Sequence, residues 1–157
     1  MKRNITRIFF FTTLLLSLAA VATAESDGHC TAAVVAGTSG YTGTGTLILP
    51  TGPVPFAFVG KFTSDAAGNF SGTQTSSVGG QVSQETSSGT ATLNSDCTTI
   101  FSVSILDQSG NVLRTAHWAG VYVDNGRELR AIMTSLVLAN GMSVPAVMTM
   151  NARKLRP

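Results

Sequence analysis

The chain has 157 residues, of which 43% are hydrophobic and only 11% are charged, and its formal net charge is +2. Three of its ten lysine and arginine residues lie near the N-terminus, so the rest of the chain is close to neutral. That balance excludes the basic surface needed to bind nucleic acid or an anionic membrane.

The N-terminus has the pattern of a secretory signal peptide. Three basic residues precede an apolar run, and Ala22-Thr23-Ala24 supplies the small residues that signal peptidase requires. The run is shorter than the roughly 20 residues of a membrane-spanning helix, and no later segment reaches that length. We therefore expect residues 1–24 to be removed and residues 25–157 to form one exported domain, periplasmic or extracellular.

Cys30 and Cys97 are the only cysteines. Export would place them in an oxidising compartment, where disulfides persist. We therefore expect a Cys30–Cys97 disulfide that pins the start of the exported domain.

Short runs rich in Val, Ile, Thr and aromatic residues recur through the rest of the chain, separated by Gly, Asn, Asp and Ser clusters. This pattern is typical of an antiparallel all-β domain. Predicted strands lie near 41–49, 55–63, 69–76, 81–93, 98–106, 112–123, 128–138 and 144–154.

Three predicted turns give a register for the second half of the chain. Asn-Gly is a strong signal for a two-residue hairpin, which fixes which residues face each other. Such a loop at Asn125-Gly126 places Trp118 opposite Met133, with further pairs Tyr122–Leu129 and Gly120–Ala131. One at Asn140-Gly141 predicts the pairs Met133–Met148, Ala131–Met150 and Val137–Val144. One at Ser109-Gly110 predicts the pairs Phe101–Trp118 and Ile105–Arg114.

These registers agree on one apolar face and one polar face. The apolar face carries Phe101, Val103, Ile105, Ala116, Trp118, Tyr122, Leu129, Met133, Met148 and Met150. Ile132, Leu136 and Leu138 fall on the other face, where His117 is expected opposite Thr134.

Two architectures fit eight such strands. Tight turns and glycines inside the strands favour a closed up-and-down antiparallel barrel, because closure bends the sheet and removes exposed edges. A β-sandwich is the alternative.

The apolar face supplies a candidate ligand site, because an eight-stranded barrel is either filled by side chains or holds one small molecule. The candidate lining is Phe101, Arg114, Trp118, Tyr122, Met133, Met148 and Met150. Arg114 points inward near one end, where it could meet a ligand carboxylate, reach water or pair with Asp107. Ordinary core packing is the competing explanation for the apolar side chains.

Residues for catalysis or metal binding are sparse. His29 and His117 have no spacing that suggests a metal site, so no metal or cofactor is expected. Most acidic residues lie at predicted turns, and Glu85 is the one acidic residue in a strand whose facing the sequence leaves open.

The run "VGKFTSDAAGNFSGTQTSSVGGQ", followed by "GTATLNSDC", resembles small exported bacterial proteins without assigned function. Their barrels are similar to those of the calycins and of allene oxide cyclase. The resemblance implies an eight-stranded barrel with an apolar lumen, and it carries over no catalytic residue.

Three functions follow as hypotheses. The first is a non-catalytic exported barrel that binds a small apolar or amphipathic molecule. The second is a structural or surface-interaction protein with a filled core, favoured by Ser- and Thr-rich outer faces and low charge. The third, by analogy, is a cyclase or isomerase like allene oxide cyclase, which requires an ionisable group in the lumen. The sequence indicates no oligomeric state.

Overall fold

The computed structural model describes residues 30–156, and the expected signal peptide at 1–24 lies outside the described residues. A four-residue helix, α1 (Ala32–Val35), precedes eight strands. The strands are β1 (Gly37–Leu49), β2 (Gly52–Ser64), β3 (Asn69–Val78), β4 (Gln81–Leu93), β5 (Thr98–Leu106), β6 (Val112–Val123), β7 (Glu128–Leu138) and β8 (Ala146–Lys154).

Each strand pairs antiparallel with the next, and β8 pairs with β1 to close the barrel. The up-and-down barrel is confirmed and the sandwich alternative is wrong. Because side chains alternate along each strand, every second residue points into a shared interior, while Thr, Ser and Val side chains predominate on the outer surface. In the part of the chain that the structure describes, no helix is both long and apolar enough to cross a membrane.

The turns follow from their residues. Between β2 and β3, the Asp65 carboxylate accepts hydrogen bonds from the backbone N–H groups of Ala67 and Asn69, each at 2.9 Å. Gly68 adopts a φ of 86°, which glycine reaches without the Cβ clash of other residues. This local bonding ends one strand and starts the next, as the sequence predicts.

The predicted disulfide is present, with 5.1 Å between the Cα atoms of Cys30 and Cys97. Cys97 lies between β4 and β5, and the chain leaving Cys30 enters β1 at Gly37. Because β1 and β5 stand opposite each other in the eight-strand ring, residues 30–36 cross this end of the barrel. Lys154 at the end of β8 donates hydrogen bonds to the carbonyls of Val34 and Ala36. We call this end the mouth end.

Most predicted pairs are confirmed: Trp118 pairs with Met133, Phe101 with Trp118, and Ile105 with Arg114. Tyr122–Leu129, Gly120–Ala131 and Ala131–Met150 are confirmed as well. The loop between β5 and β6 is one residue longer than predicted, because Asp107 N–H bonds to the carbonyl of Asn111. A register shift after Ile105 compensates for the extra residue.

The register at the far end of β7 was predicted wrongly. Val137 bridges to Ser143 rather than to Val144, because Leu138 closes on Met142 around a three-residue loop that ends at Gly141 with a φ of 82°. Asn140-Gly141 is therefore not the two-residue hairpin loop that the sequence predicts.

A bulge in β7 overturns three further predictions. Trp118 pairs with Met133 while His117 pairs with Ser135, so Thr134 is an extra residue without a partner on β6. One extra residue reverses which side chains point inward beyond it. Leu136, predicted to face outward, is consequently 2% exposed and part of the core, and Leu138 packs against that core. Ile132, before the bulge, faces outward as predicted.

Candidate functional site

The interior of the barrel contains a cavity of about 70 Å³. All eight strands contribute to its lining, and eight of the nineteen lining residues are aromatic. The lining residues are Tyr41, Phe56, Phe58, Phe62, Phe70, Gln74, Ser87, Ala91, Thr99, Phe101, Val103, Ile105, Arg114, Ala116, Trp118, Tyr122, Leu129, Met133 and Met150.

The two ends of the cavity differ in how deeply their lining side chains are buried. Phe62, Phe70, Phe101 and Tyr122 lie near the strand ends at the mouth end and are only half-buried. Toward the other end the lining is closed, because Phe56 and Ile105 are at most 5% exposed. The mouth end, which residues 30–36 cross, is therefore the less buried end of the cavity and carries aromatic rings.

Aromatic contacts fix the shape of the wall. Phe101 and Trp118 lie parallel, with ring centroids 6.0 Å apart. Phe58 packs edge-on against Trp118 at 6.2 Å, and Phe70 packs edge-on against Phe101 at 6.1 Å. Offset and edge-to-face arrangements of this kind add to the free energy from buried area.

Of the seven predicted lining residues, the structure brings six to the cavity: Phe101, Arg114, Trp118, Tyr122, Met133 and Met150. Met148 points inward too, but it is 2% exposed and packs within the wall, away from the cavity surface. Their binding role stays a prediction.

A polar network lies at the closed end of the cavity. The Arg114 guanidinium donates two hydrogen bonds to the Glu85 carboxylate, at 2.9 and 2.7 Å. Gln74 donates to the same carboxylate at 2.7 Å and accepts from the Tyr41 hydroxyl at 2.9 Å. Among the residues described, no buried side-chain nitrogen or oxygen lacks a hydrogen-bond partner.

This network corrects the expectation for Arg114. Its partner is Glu85 rather than Asp107, whose carboxylate accepts hydrogen bonds from Ser109 and Asn111 within its own turn. Glu85, whose facing the sequence left open, points inward and its side chain is 3% exposed. The guanidinium also lies over the Phe56 ring, 5.2 Å from its centroid.

The network sets the protonation states. Burial raises the pKa of Glu85, but hydrogen bonds from Arg114 and Gln74 and the positive charge of Arg114 outweigh burial and lower it below its usual value. Burial raises the pKa of Tyr41 to about 12, and burial also raises that of Tyr122. The closed end therefore holds an ionised pair and a neutral phenol at physiological pH.

These two tyrosines, the only ones in the chain, give a test of the inward network. At pH 11 we expect about a tenth of Tyr41 to be ionised in the folded protein, against about nine-tenths of an unfolded tyrosine. A raised pKa in the folded state contributes stability below pH ~10 that is lost as the pH rises toward 12. Tyrosinate absorbance of Tyr122→Phe, in which Tyr41 remains, measures this directly. Titration of Tyr41 near pH 10 in the folded protein would contradict its burial.

Sequence reasoning missed the contribution of the N-terminal half, which supplies Tyr41, Gln74, Glu85 and Ser87. A signal was available in Gly79-Gly80, which connects β3 to β4 with Val78 paired to Gln81. Reading these two glycines as a two-residue hairpin pairs Gln74 with Glu85, the register that the structure has.

No protein-family model and no curated protein sequence matches the chain. Solved structures similar to it are barrels. One described as "De novo design of transmembrane beta-barrels" superposes with a TM-score of 0.57 at 10% identity, covering 75% of this chain and 94% of that one. A redesigned β-barrel, mFAP0, bound to DFHBI has a TM-score of 0.47 at 11% identity, with 77% and 99% covered. At these identities the likeness shows the barrel fold alone.

Proposed function

We propose that the chain is a non-catalytic binding protein that holds a small apolar or amphipathic molecule in its lumen. The observation that carries the proposal is the cavity itself, lined by eight aromatic rings, buried at one end and half-buried at the mouth end. Ligand pockets are mostly apolar concavities with a few placed polar groups, and this cavity has that composition.

The volume of the cavity limits the ligand. Pockets for drug-sized molecules span roughly 300–1,000 Å³, whereas this one holds about 70 Å³. A narrow chain or the end of a planar molecule therefore fits, and anything wider must displace the mouth rings of Phe62, Phe70 and Phe101. The half-buried state of these rings supports such an opening.

A filled barrel that acts as a structural or surface-interaction protein is the second candidate, and the small volume favours it. The two functions differ in what happens when the cavity is blocked. Filling the cavity with a larger side chain should abolish the function of a binding protein and leave the function of a filled barrel unchanged.

A cyclase or isomerase like allene oxide cyclase has less support. It requires an ionisable group in the lumen, and Glu85 and Arg114 supply two. However, the Glu85 carboxylate already accepts two hydrogen bonds from Arg114 and one from Gln74, and its lowered pKa makes it a weak base. The arrangement suits holding a polar group better than moving a proton.

Export is part of the proposal. A disulfide is typical of proteins in oxidising compartments, so the Cys30–Cys97 bond supports a periplasmic or extracellular location.

Trp118 makes the binding proposal directly testable, because it is the single tryptophan and it lines the cavity. A screen of brominated alkanes and single-ring aromatics should find saturable quenching of its fluorescence, since a bromine in the cavity would contact the indole. Native mass spectrometry of the protein purified from its own host should show a retained small molecule.

Two leucine substitutions on β4 provide the matched control. Ala91 lines the cavity and Thr92 faces outward, so Ala91→Leu should abolish quenching while Thr92→Leu preserves it. Equal quenching of both variants, or none in the unmodified protein with any probe, would favour the filled barrel.

A further inference from the structure

The charge of the cavity lining narrows the ligand class. Among the lining residues only Arg114 carries a charge, and Glu85 neutralises it through two hydrogen bonds. The Arg114 and Glu85 side chains are 13% and 3% exposed, so water screens them little. The closed end of the cavity therefore has no net charge to offer a ligand.

The same end retains hydrogen-bonding capacity. A guanidinium has five N–H donors, of which the Glu85 pair engages two. The Ser87 hydroxyl, 4% exposed, lies against the cavity beside the Tyr41 hydroxyl, and both groups line it together with Gln74. A ligand group that can hydrogen-bond without carrying charge meets several partners there.

We propose that the lumen selects uncharged amphipathic molecules, with a narrow apolar body and one hydrogen-bonding head such as an alcohol, a carbonyl or an amide, over the corresponding carboxylates. This inference rests on the proposed binding function. An alcohol head can bond to Ser87, Tyr41 or the spare Arg114 donors without disturbing the ion pair.

A carboxylate head is disfavoured for two reasons. It would compete with Glu85 for Arg114, and it would place a second negative charge beside Glu85 in surroundings of low dielectric constant. It would also lose its hydration on entering the lumen without an unpaired cation to compensate.

The test compares octanol and octanoate that both carry a terminal bromine, with Trp118 fluorescence as the readout. The alcohol should quench at a concentration at least roughly tenfold lower than the carboxylate. Octanoate that quenches at an equal or lower concentration would overturn the inference while leaving the binding function intact. Failure of both probes to quench, together with failure of the wider screen, would instead reject binding.

Glu85→Gln should invert the preference. The substitution removes the negative charge and leaves the Arg114 guanidinium facing the cavity without a counter-ion, so octanoate should become the tighter ligand. Glu128→Gln is the matched control, because Glu128 pairs with Arg130 at 2.8 Å on the outer wall, and it should keep the alcohol preference. An unchanged preference in folded Glu85→Gln would contradict the charge argument, and if that variant does not fold, the comparison in the unmodified protein decides.

Discussion

Replacing Arg114 with Met is expected to lower the free energy of unfolding by about 3 kcal/mol at neutral pH. The substitution keeps much of the apolar contact with Phe56 but leaves the Glu85 carboxylate buried without its partner. Removing one member of a buried ion pair is strongly destabilising, typically by about 3–5 kcal/mol, because the remaining charge has lost both water and its counter-ion. We choose the lower value because Arg114 is 13% exposed. Urea denaturation followed by Trp118 fluorescence provides the measurement.

The stability lost in Arg114→Met should be larger at high pH than at low pH. In the unmodified protein the pKa of Glu85 is lowered, so its contribution is present above the unfolded pKa of about 4.3 and is lost as the pH falls through the folded value. In Arg114→Met, burial without a partner raises the pKa, so the folded state prefers the protonated acid. The stability difference between the two proteins should therefore narrow at pH 4 and widen at pH 8.

A double variant separates charge from packing. Replacing Glu85 with Gln in the Arg114→Met background removes the uncompensated charge, and neutral replacements of buried ion pairs are often close to neutral for stability. We expect the double variant to regain most of the lost stability. If both variants are equally unstable, the loss comes from packing around Phe56 rather than from the carboxylate.

Gly45→Ala is expected to destabilise the barrel by at least about 3 kcal/mol, at the upper end of the effect of overpacking a core. Gly45 lies in β1 between Phe56 of β2 and Met148 of β8. A Cβ at this position would lie 2.6 Å from the Cα atom of Met148 and would overlap the carbonyl oxygen of Val147. Because both obstacles are backbone atoms, no side-chain rotation relieves them, and β8 would have to move away from β1.

Gly40→Ala in the same strand is the control. Its nearest neighbour would be a terminal methyl carbon of Leu155 at 3.3 Å, and Leu155 is an exposed side chain that can move. We expect its stability to change by no more than about 1 kcal/mol, since alanine also restricts the unfolded chain. Comparable denaturation midpoints for the two variants would show that the β1–β8 contact at Gly45 tolerates adjustment.

Gly45 and the Arg114–Glu85 ion pair both limit the space that remains in the lumen. Gly45 allows the close β1–β8 approach that lets Met148 fill the wall, while Arg114 and Glu85 occupy the closed end. Eight aromatic rings line the space that remains, about 70 Å³, so stability and ligand size are set by the same packing.

The sequence alone determined the features that depend on neighbours along the chain. Alternating side chains and turn residues predicted eight consecutive antiparallel strands, and short hairpins carried the register from Phe101 to Trp118 and Met133. The inward belt could be predicted for this reason, since a tight turn fixes which residues of two adjacent strands face each other.

Only the tertiary structure decided the features that join strands which are not adjacent. Glu85 and Arg114 lie on β4 and β6, on either side of β5, so no turn relates them and their pairing depends on how the sheet curves across the lumen. The bulge at Thr134, which turns Leu136 inward, lies between the adjacent strands β6 and β7, but it is remote from the turn that joins them, so the turn residues do not predict it. The volume of the cavity depends on all eight strands together, because side chains from the other strands limit the position of each aromatic ring.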